Sequence, residues 1–211
     1  SQKGFPDGLT ELQNIEFEAL GRSYIASLRK KYRNKVKGIL AKSSSLDIRS
    51  LDTEYIDAHS SELQKLFDQL VVSSRFKGPV FNVLSFASFV AQGYMRVDGY
   101  FLDGKLIGFS SEMHDNDLMY SYFVGFDKDL NLSFPIYGRI LIENIANAIK
   151  SNKSRLILGR TANEYKSNFG AFPIKSYVYI RARNSILRTI LKPIYKKLRI
   201  RSWQIRSPFK V

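Results

Sequence analysis

From about Asn14, apolar residues recur near a 3.6-residue period: Phe17, Leu20, Tyr24, Leu28, Val36 and Leu40. That spacing predicts a long amphipathic helix. Residues 1–13 before it hold Gly4, Pro6 and Gly8 and read as a flexible lead-in. Ser43-Ser44-Ser45 closes the helix, and Leu46 to Leu51 alternates as a short strand. Asp52 or Thr53 then caps a second helix reaching about Val72. After a break at Phe76 to Pro79, Asn82 caps a shorter apolar helix through Ala91.

The pattern then changes to period two. Arg96 to Leu102 and Lys105 to Met113 flank Asp103-Gly104, the preferred two-residue hairpin turn. The polar turn Asp115-Asn116-Asp117 leads into a third strand, Leu118 to Gly125, which completes an antiparallel meander. Ser133 and Pro135 mark a helix start, and Tyr137, Ile140, Leu141, Ile145, Ala148 and Ile149 line one of its faces. A short buried strand, Arg155 to Leu158, precedes a short helix from Ala162 to Phe169 that Gly170 stops. Lys175 to Arg181 alternates as a final strand. The order predicts an α/β domain whose mixed, mainly antiparallel sheet is flanked by helices. Residues 1–45 form the lead-in and a basic linker helix, 46–182 the domain, and 183–211 a basic tail.

Charge sharpens this division. The formal net charge is +14, but no acidic residue follows Glu164. Of the 33 Lys and Arg, 12 lie beyond that point, leaving 21 against 19 acidic residues in 1–164. The excess belongs to the C-terminal region and points to an anionic partner there. In the tail Leu187, Ile190, Leu191, Ile194 and Leu198 share one helical face, opposite Arg188, Lys192, Lys196 and Arg199. Such a helix suits packing on the domain, RNA phosphates or an anionic membrane surface. The basic run Arg29 to Lys37 is either a solvated face or a phosphate-contacting arm. Cysteine is absent, and the two histidines, His59 and His114, stand far apart. These facts argue against disulfides, a metal site or a Ser-His-Asp triad.

Gly99-Tyr100-Phe101-Leu102-Asp103-Gly104-Lys105-Leu106-Ile107-Gly108-Phe109 looks like the central hairpin of GNAT acyltransferases. Leu158-Gly159-Arg160-Thr161, Lys166-Ser167-Asn168-Phe169-Gly170-Ala171 and the basic helix from Tyr24 to Val36 resemble the Fem-like branch, the peptidoglycan aminoacyltransferase-like C-terminal domain. The resemblance implies a GNAT-like (acyl-CoA N-acyltransferase) fold and transfer of an acyl or aminoacyl group to an amine. It implies a thioester or aminoacyl-tRNA donor, with a cell-envelope or lipid precursor as acceptor. In that branch such a helix follows another GNAT-like domain, so an upstream domain is expected to be missing from a chain that opens Ser1-Gln2-Lys3-Gly4. A cytoplasmic protein, peripheral at the inner membrane face, is the matching expectation, and a non-catalytic scaffold on the same fold is the alternative.

Two departures matter. Coenzyme A-using members carry a glycine-rich turn that binds pyrophosphate, where this chain has Asp127 to Pro135. Pro135 lacks an N–H and the aspartates repel phosphate, which disfavours acyl-CoA without removing acyl thioesters from consideration. The position where many acetyltransferases place a proton-donating Tyr is Lys166, with Tyr165 beside it. Catalytic candidates are therefore Lys166, Tyr165 and Glu112 as base. Backbone N–H groups near Val124 and Gly125 would hold the oxyanion, and Arg160, Thr161 and Tyr122 would contact substrate. Arg160 equally suits an ion pair with Asp127 or Glu164.

Overall fold

Asp103 and Gly104 both adopt left-handed backbone angles, φ 49° and 78°, and close the expected hairpin. Around this turn the computed structural model describes residues 9–13, 24–73, 81–159, 161–174, 189 and 203–210. Its strands are β1 (Leu9–Gln13), β2 (Asp47–Ser50), β3 (Met95–Leu102), β4 (Lys105–His114), β5 (Leu118–Phe126), β6 (Arg155–Ile157) and β7 (Phe172–Ile174). Its helices are α1 (Tyr24–Ser27), α2 (Lys30–Lys42), α3 (Thr53–Ala58), α4 (Ser60–Ser73), α5 (Ser85–Ala91), α6 (Ile136–Lys150) and α7 (Asn163–Ser167).

The described strands make one sheet in the order β2-β3-β4-β5-β6-β1-β7. Only β5 and β6 run parallel, which requires the crossover that α6 supplies. Helices α2 and α6 cover one face, where Val36, Ile39, Leu141, Ile145 and Ala148 meet Met119 and Leu156. Helices α3 to α5 cover the other, where Ile56, Leu63, Leu66 and Phe86 meet Val97, Phe101 and Phe109. Each Val, Leu, Ile, Phe or Met fully buried in this way contributes roughly 1.5–3 kcal/mol. The α/β architecture read from the sequence is the one observed.

Several elements differ from the expected ones for identifiable reasons. Leu9–Gln13 is a strand, not a lead-in, because β6 and β7 pair with it on either side. The expected first helix, whose part before Tyr24 lies outside the described residues, breaks at Leu28-Arg29. Leu28 forms a β-bridge with Phe209, and the Arg29 amide donates to the Pro208 carbonyl at 2.7 Å. The second helix starts as expected, with Asp52 accepting from the Tyr55 amide at 2.7 Å, but it divides at His59. There the imidazole stacks on Tyr55 with ring centroids 3.9 Å apart. The expected break at Phe76 to Pro79, the strand Lys175 to Arg181 and the amphipathic tail helix lie outside the described residues.

Candidate active site

Beyond Tyr120 the sheet opens. β5 pairs with β6 only from Leu118 to Tyr120, opposite Arg155 to Ile157, while its pairing with β4 continues to Phe126. The β4–β5 ladder itself slips between Ser110 and Glu112, which face Val124 and Ser121. Two residues of β5, Tyr122 and Phe123, thus oppose Ser111 alone: a β-bulge. The Ser111 hydroxyl fills the lost rung. It donates to the Phe123 carbonyl at 3.0 Å and accepts from the Phe123 amide at 2.8 Å.

The bulge sets which amides reach the opening. Asp127 donates its N–H to Ile107 of β4 at 2.9 Å. Antiparallel ladders alternate, so Gly125, opposite Phe109, also turns its N–H toward β4. Val124 turns its N–H the other way, into the gap. Of the two backbone donors expected here, Val124 faces the opening and Gly125 faces the ladder. Gly125 serves packing instead: a Cβ there would lie 2.8 Å from the Phe67 nitrogen, so α4 crosses β5 only because no side chain intervenes.

On the far wall, β6 ends and α7 begins. Lys166 is 3% exposed, and its Nζ donates to the Leu158 carbonyl at 2.5 Å. Burial lowers its pKa to about 7. Gly159 beside it has φ 79°, a left-handed angle that glycine takes without strain. Tyr122 is exposed on the bulge, and Thr161 is exposed just before α7. Arg160 lies outside the described residues.

Tyr165 does not join the opening. Its ring lies 5.5 Å from both Tyr137 and Phe169, and the Lys35 ammonium sits 4.5 Å above it. Burial raises its pKa, which makes it a poorer source of phenolate. The residue anchors α7 by packing, because successive side chains on a helix point about 100° apart and so meet different surroundings.

Glu112 lies across β5 from the gap, paired with Ser121 and 1% exposed beneath α6. Asn147 donates to its Oε1 at 2.8 Å. The Asn144 amide, oriented to satisfy both neighbours, donates to the same oxygen at 3.2 Å and accepts from the Ser121 hydroxyl at 2.5 Å. Burial raises Glu112 to about pKa 7; the Asn147 hydrogen bond opposes this, and nearby Asp98 adds to it. His114 Nε2 stands 3.5 Å from the carboxylate, but burial and then Lys153 lower the histidine pKa, so the pair carries little charge attraction at neutral pH. Asp98, 3% exposed and bonded to Arg96 at 2.9 Å, completes the cluster. It floors a separate cavity of about 340 Å³ lined also by Ile48, Ser50, Arg139, Glu143 and Asn147.

Sequence reasoning missed Ser111, Asn144 and Asn147. A signal existed for each: polar residues at core-facing positions of an otherwise apolar strand and helix. Among the described residues no group of three or more His, Cys, Asp or Glu is arranged to hold a metal, and no helix is long and apolar enough to cross a membrane.

The fold recurs in solved structures. The chain superposes on FemX with a TM-score of 0.60 at 10% identity, covering 92% of this chain and 64% of that one. L-PGS from Bacillus licheniformis gives a TM-score of 0.61 at 10% identity, covering 88% and 64%. The C-terminal (DUF2156) domain of a putative lysylphosphatidylglycerol synthetase from Agrobacterium fabrum gives 0.59 at 13%, covering 91% and 65%. No family model matches the chain, and no curated protein matches it in sequence. The fold is therefore the GNAT-like one, in the form shared with FemX and the L-PGS structures. The chain spans less than two thirds of the length of each of these three.

Proposed function

We propose that this chain is an N-acyltransferase that moves an acyl or aminoacyl group from an activated ester or thioester to an amine of a cell-envelope or lipid precursor. The reading rests on one observation: a lysine buried at the point where β5 and β6 part, its Nζ bonded to the Leu158 carbonyl. A donor carbonyl in the gap would meet the Val124 N–H on its oxygen. The amine lone pair forms the C–N bond as the carbonyl electrons move to that oxygen. Collapse then breaks the C–O or C–S bond. Protonated Lys166 delivers its proton to the departing atom and regains one from the new ammonium, a cycle suited to a group titrating near neutrality.

An aminoacyl-tRNA donor fits better than acyl-CoA. The turn before α6 runs Asp127-Lys128-Asp129 and ends at Pro135, a weak pyrophosphate cradle. Lys30, Lys31 and Lys37 stay exposed on α2, where a polyanion can reach them. The acceptor's place in the envelope would make the protein peripheral to the cytoplasmic membrane face, and a further N-terminal domain would complete the acceptor site.

The test is transfer from a set of aminoacyl-tRNAs and acyl-CoAs to amine-bearing lipid or peptidoglycan precursors, comparing the wild type with Lys166→Ala. The variant should lose at least about a hundredfold in kcat while binding donor normally. Undiminished turnover in Lys166→Ala would sink the catalytic assignment and favour a scaffold on the same fold.

A further inference from the structure

Helix α7 has only five residues, too few to hold its own shape in water, and no side chain caps its start. Its N-cap, Ala162, even adopts a left-handed φ of 55°, which a non-glycine residue takes only when its surroundings impose it. Something outside the helix must hold the turn that carries Lys166. The aromatic packing of Tyr165 supplies one anchor. The other is the extended segment 203–210.

That segment joins two parts of the fold. At one end it is stitched to the break between α1 and α2. The Lys210 amide donates to the Ser27 carbonyl at 3.0 Å, Phe209 bridges Leu28, and Arg29 Nε donates to the Phe209 carbonyl at 2.8 Å. At the other end it grips α7. The Arg206 amide donates to the Ser167 hydroxyl at 3.1 Å, and its guanidinium holds the Glu164 carboxylate at 2.6 Å. Ser167 is fully buried and donates in turn to the Glu164 carbonyl at 2.8 Å. Glu164 and Ser167 flank Lys166 in sequence, so both contacts bear on the backbone that carries it.

We propose that Arg206 is a positioning residue: through Glu164 and Ser167 it fixes the α7 turn and so keeps the Lys166 amine on the Leu158 carbonyl. The segment acts as a strap, and the C-terminal end of the chain becomes part of the site without touching substrate. The assignment builds on the proposed role of Lys166 for its functional meaning, but its physical content is separately measurable. Among the described residues, the charged and titratable groups around the turn are Glu164, Tyr165 and Arg206, with Lys35 above the Tyr165 ring, Tyr137 stacked on it and Tyr24 bonded to the Phe169 carbonyl.

Charge and position predict opposite signs, which makes the test decisive. Glu164→Gln removes a negative charge, and by Coulomb attraction alone this would ease deprotonation of a nearby lysine. If the strap positions the turn, loosening it admits water to Nζ and makes deprotonation harder. The side-chain carbon next to Nζ of Lys166 in the full chain can be followed by NMR between about pH 5 and 11, using Lys166→Arg to assign the signal. Wild type should titrate near neutrality, and Glu164→Gln and Arg206→Ala should each titrate about one unit or more higher. A Glu164→Gln midpoint that stays put or falls would overturn the proposal. Glu164 is half exposed, so this variant decides the matter even if Arg206→Ala fails to fold. An active Lys166→Ala would refute the catalytic role yet leave the strap's effect on ionisation standing.

Discussion

Ser111 and Phe123 are joined by a reciprocal pair of hydrogen bonds in which one hydroxyl satisfies both the amide and the carbonyl of the bulged residue. Ser111 is fully buried, so no water can replace it. Ser111→Ala would strand a buried donor and a buried acceptor, each costing roughly 1–3 kcal/mol. We expect the urea midpoint to fall by an amount equivalent to about 2–4 kcal/mol at unchanged slope. An unchanged midpoint would mean that the bulge does not depend on the hydroxyl, and the argument that it orients the Val124 amide would fail with it.

Lys166 should make the fold more stable as pH rises. Its folded pKa is about 7, depressed by burial from an ordinary 10.5. Between those values the unfolded chain binds the extra proton, so stability climbs with pH across that window. The gain is a few kcal/mol at most, on the order of 1.4 kcal/mol per unit of pKa difference. Chemical denaturation at pH 7 and pH 10 reads the slope, and Lys166→Met should flatten it while gaining stability near pH 7. A stability difference between wild type and Lys166→Met that stays constant from pH 7 to pH 10 would show that the amine is solvated.

Glu112 acts in the reverse sense. Its folded pKa is raised to about 7 from 4.5, mainly by burial. The folded state is therefore the one that holds the proton between those values, and stability from this group declines as pH climbs from about 4.5 to 7. Glu112→Gln keeps an acceptor for Asn147 and cannot ionise. We expect the variant to match wild type near pH 4.5 and to exceed it at pH 8, with the difference growing through the interval. If Glu112→Gln is less stable than wild type at pH 8, the carboxylate is better paired than its surroundings imply.

The meander, the crossover helix and the short α7 were legible because each is written locally: period two with an Asp-Gly turn, an apolar stripe at 3.6, a glycine stop. Lys166 was legible for the same reason, being set by its distance from Gly170. What could not be read is non-local. Leu9–Gln13 becomes a strand only because β6 and β7 offer edges, and Leu28 leaves the helix only because Phe209 offers a partner 181 residues away. Tyr165 was set beside Lys166 as a candidate for chemistry, yet neighbours on a helix face different ways, and here one meets the Leu158 carbonyl while the other meets Tyr137. Arg206 announces nothing in sequence, since its meaning lies in the groups it satisfies across the fold.

Gly125 offers the sharpest steric test. The helix α4 backbone crosses β5 so closely that a Cβ at this position would approach the Phe67 nitrogen to 2.8 Å and the Leu66 carbonyl carbon to 2.9 Å, with the Phe109 ring nearer still. Backbone atoms cannot rotate aside as a side chain can. Gly125→Ala must therefore push α4 outward or displace β5 out of the sheet plane, an overpacking cost of about 1–3 kcal/mol or more. Displacement of β5 would also carry the neighbouring Val124 amide with it, so transfer activity should fall by more than the loss of folded protein explains. Gly99→Ala, on β3, is the control: it is also crowded, but by side chains, the Phe101 ring at 2.7 Å and Leu51 at 2.9 Å, away from β5. It should lower the melting temperature while sparing kcat. If Gly125→Ala melts like wild type, the crossing is looser than its geometry implies, and the coupling between α4 and the opening has no physical basis.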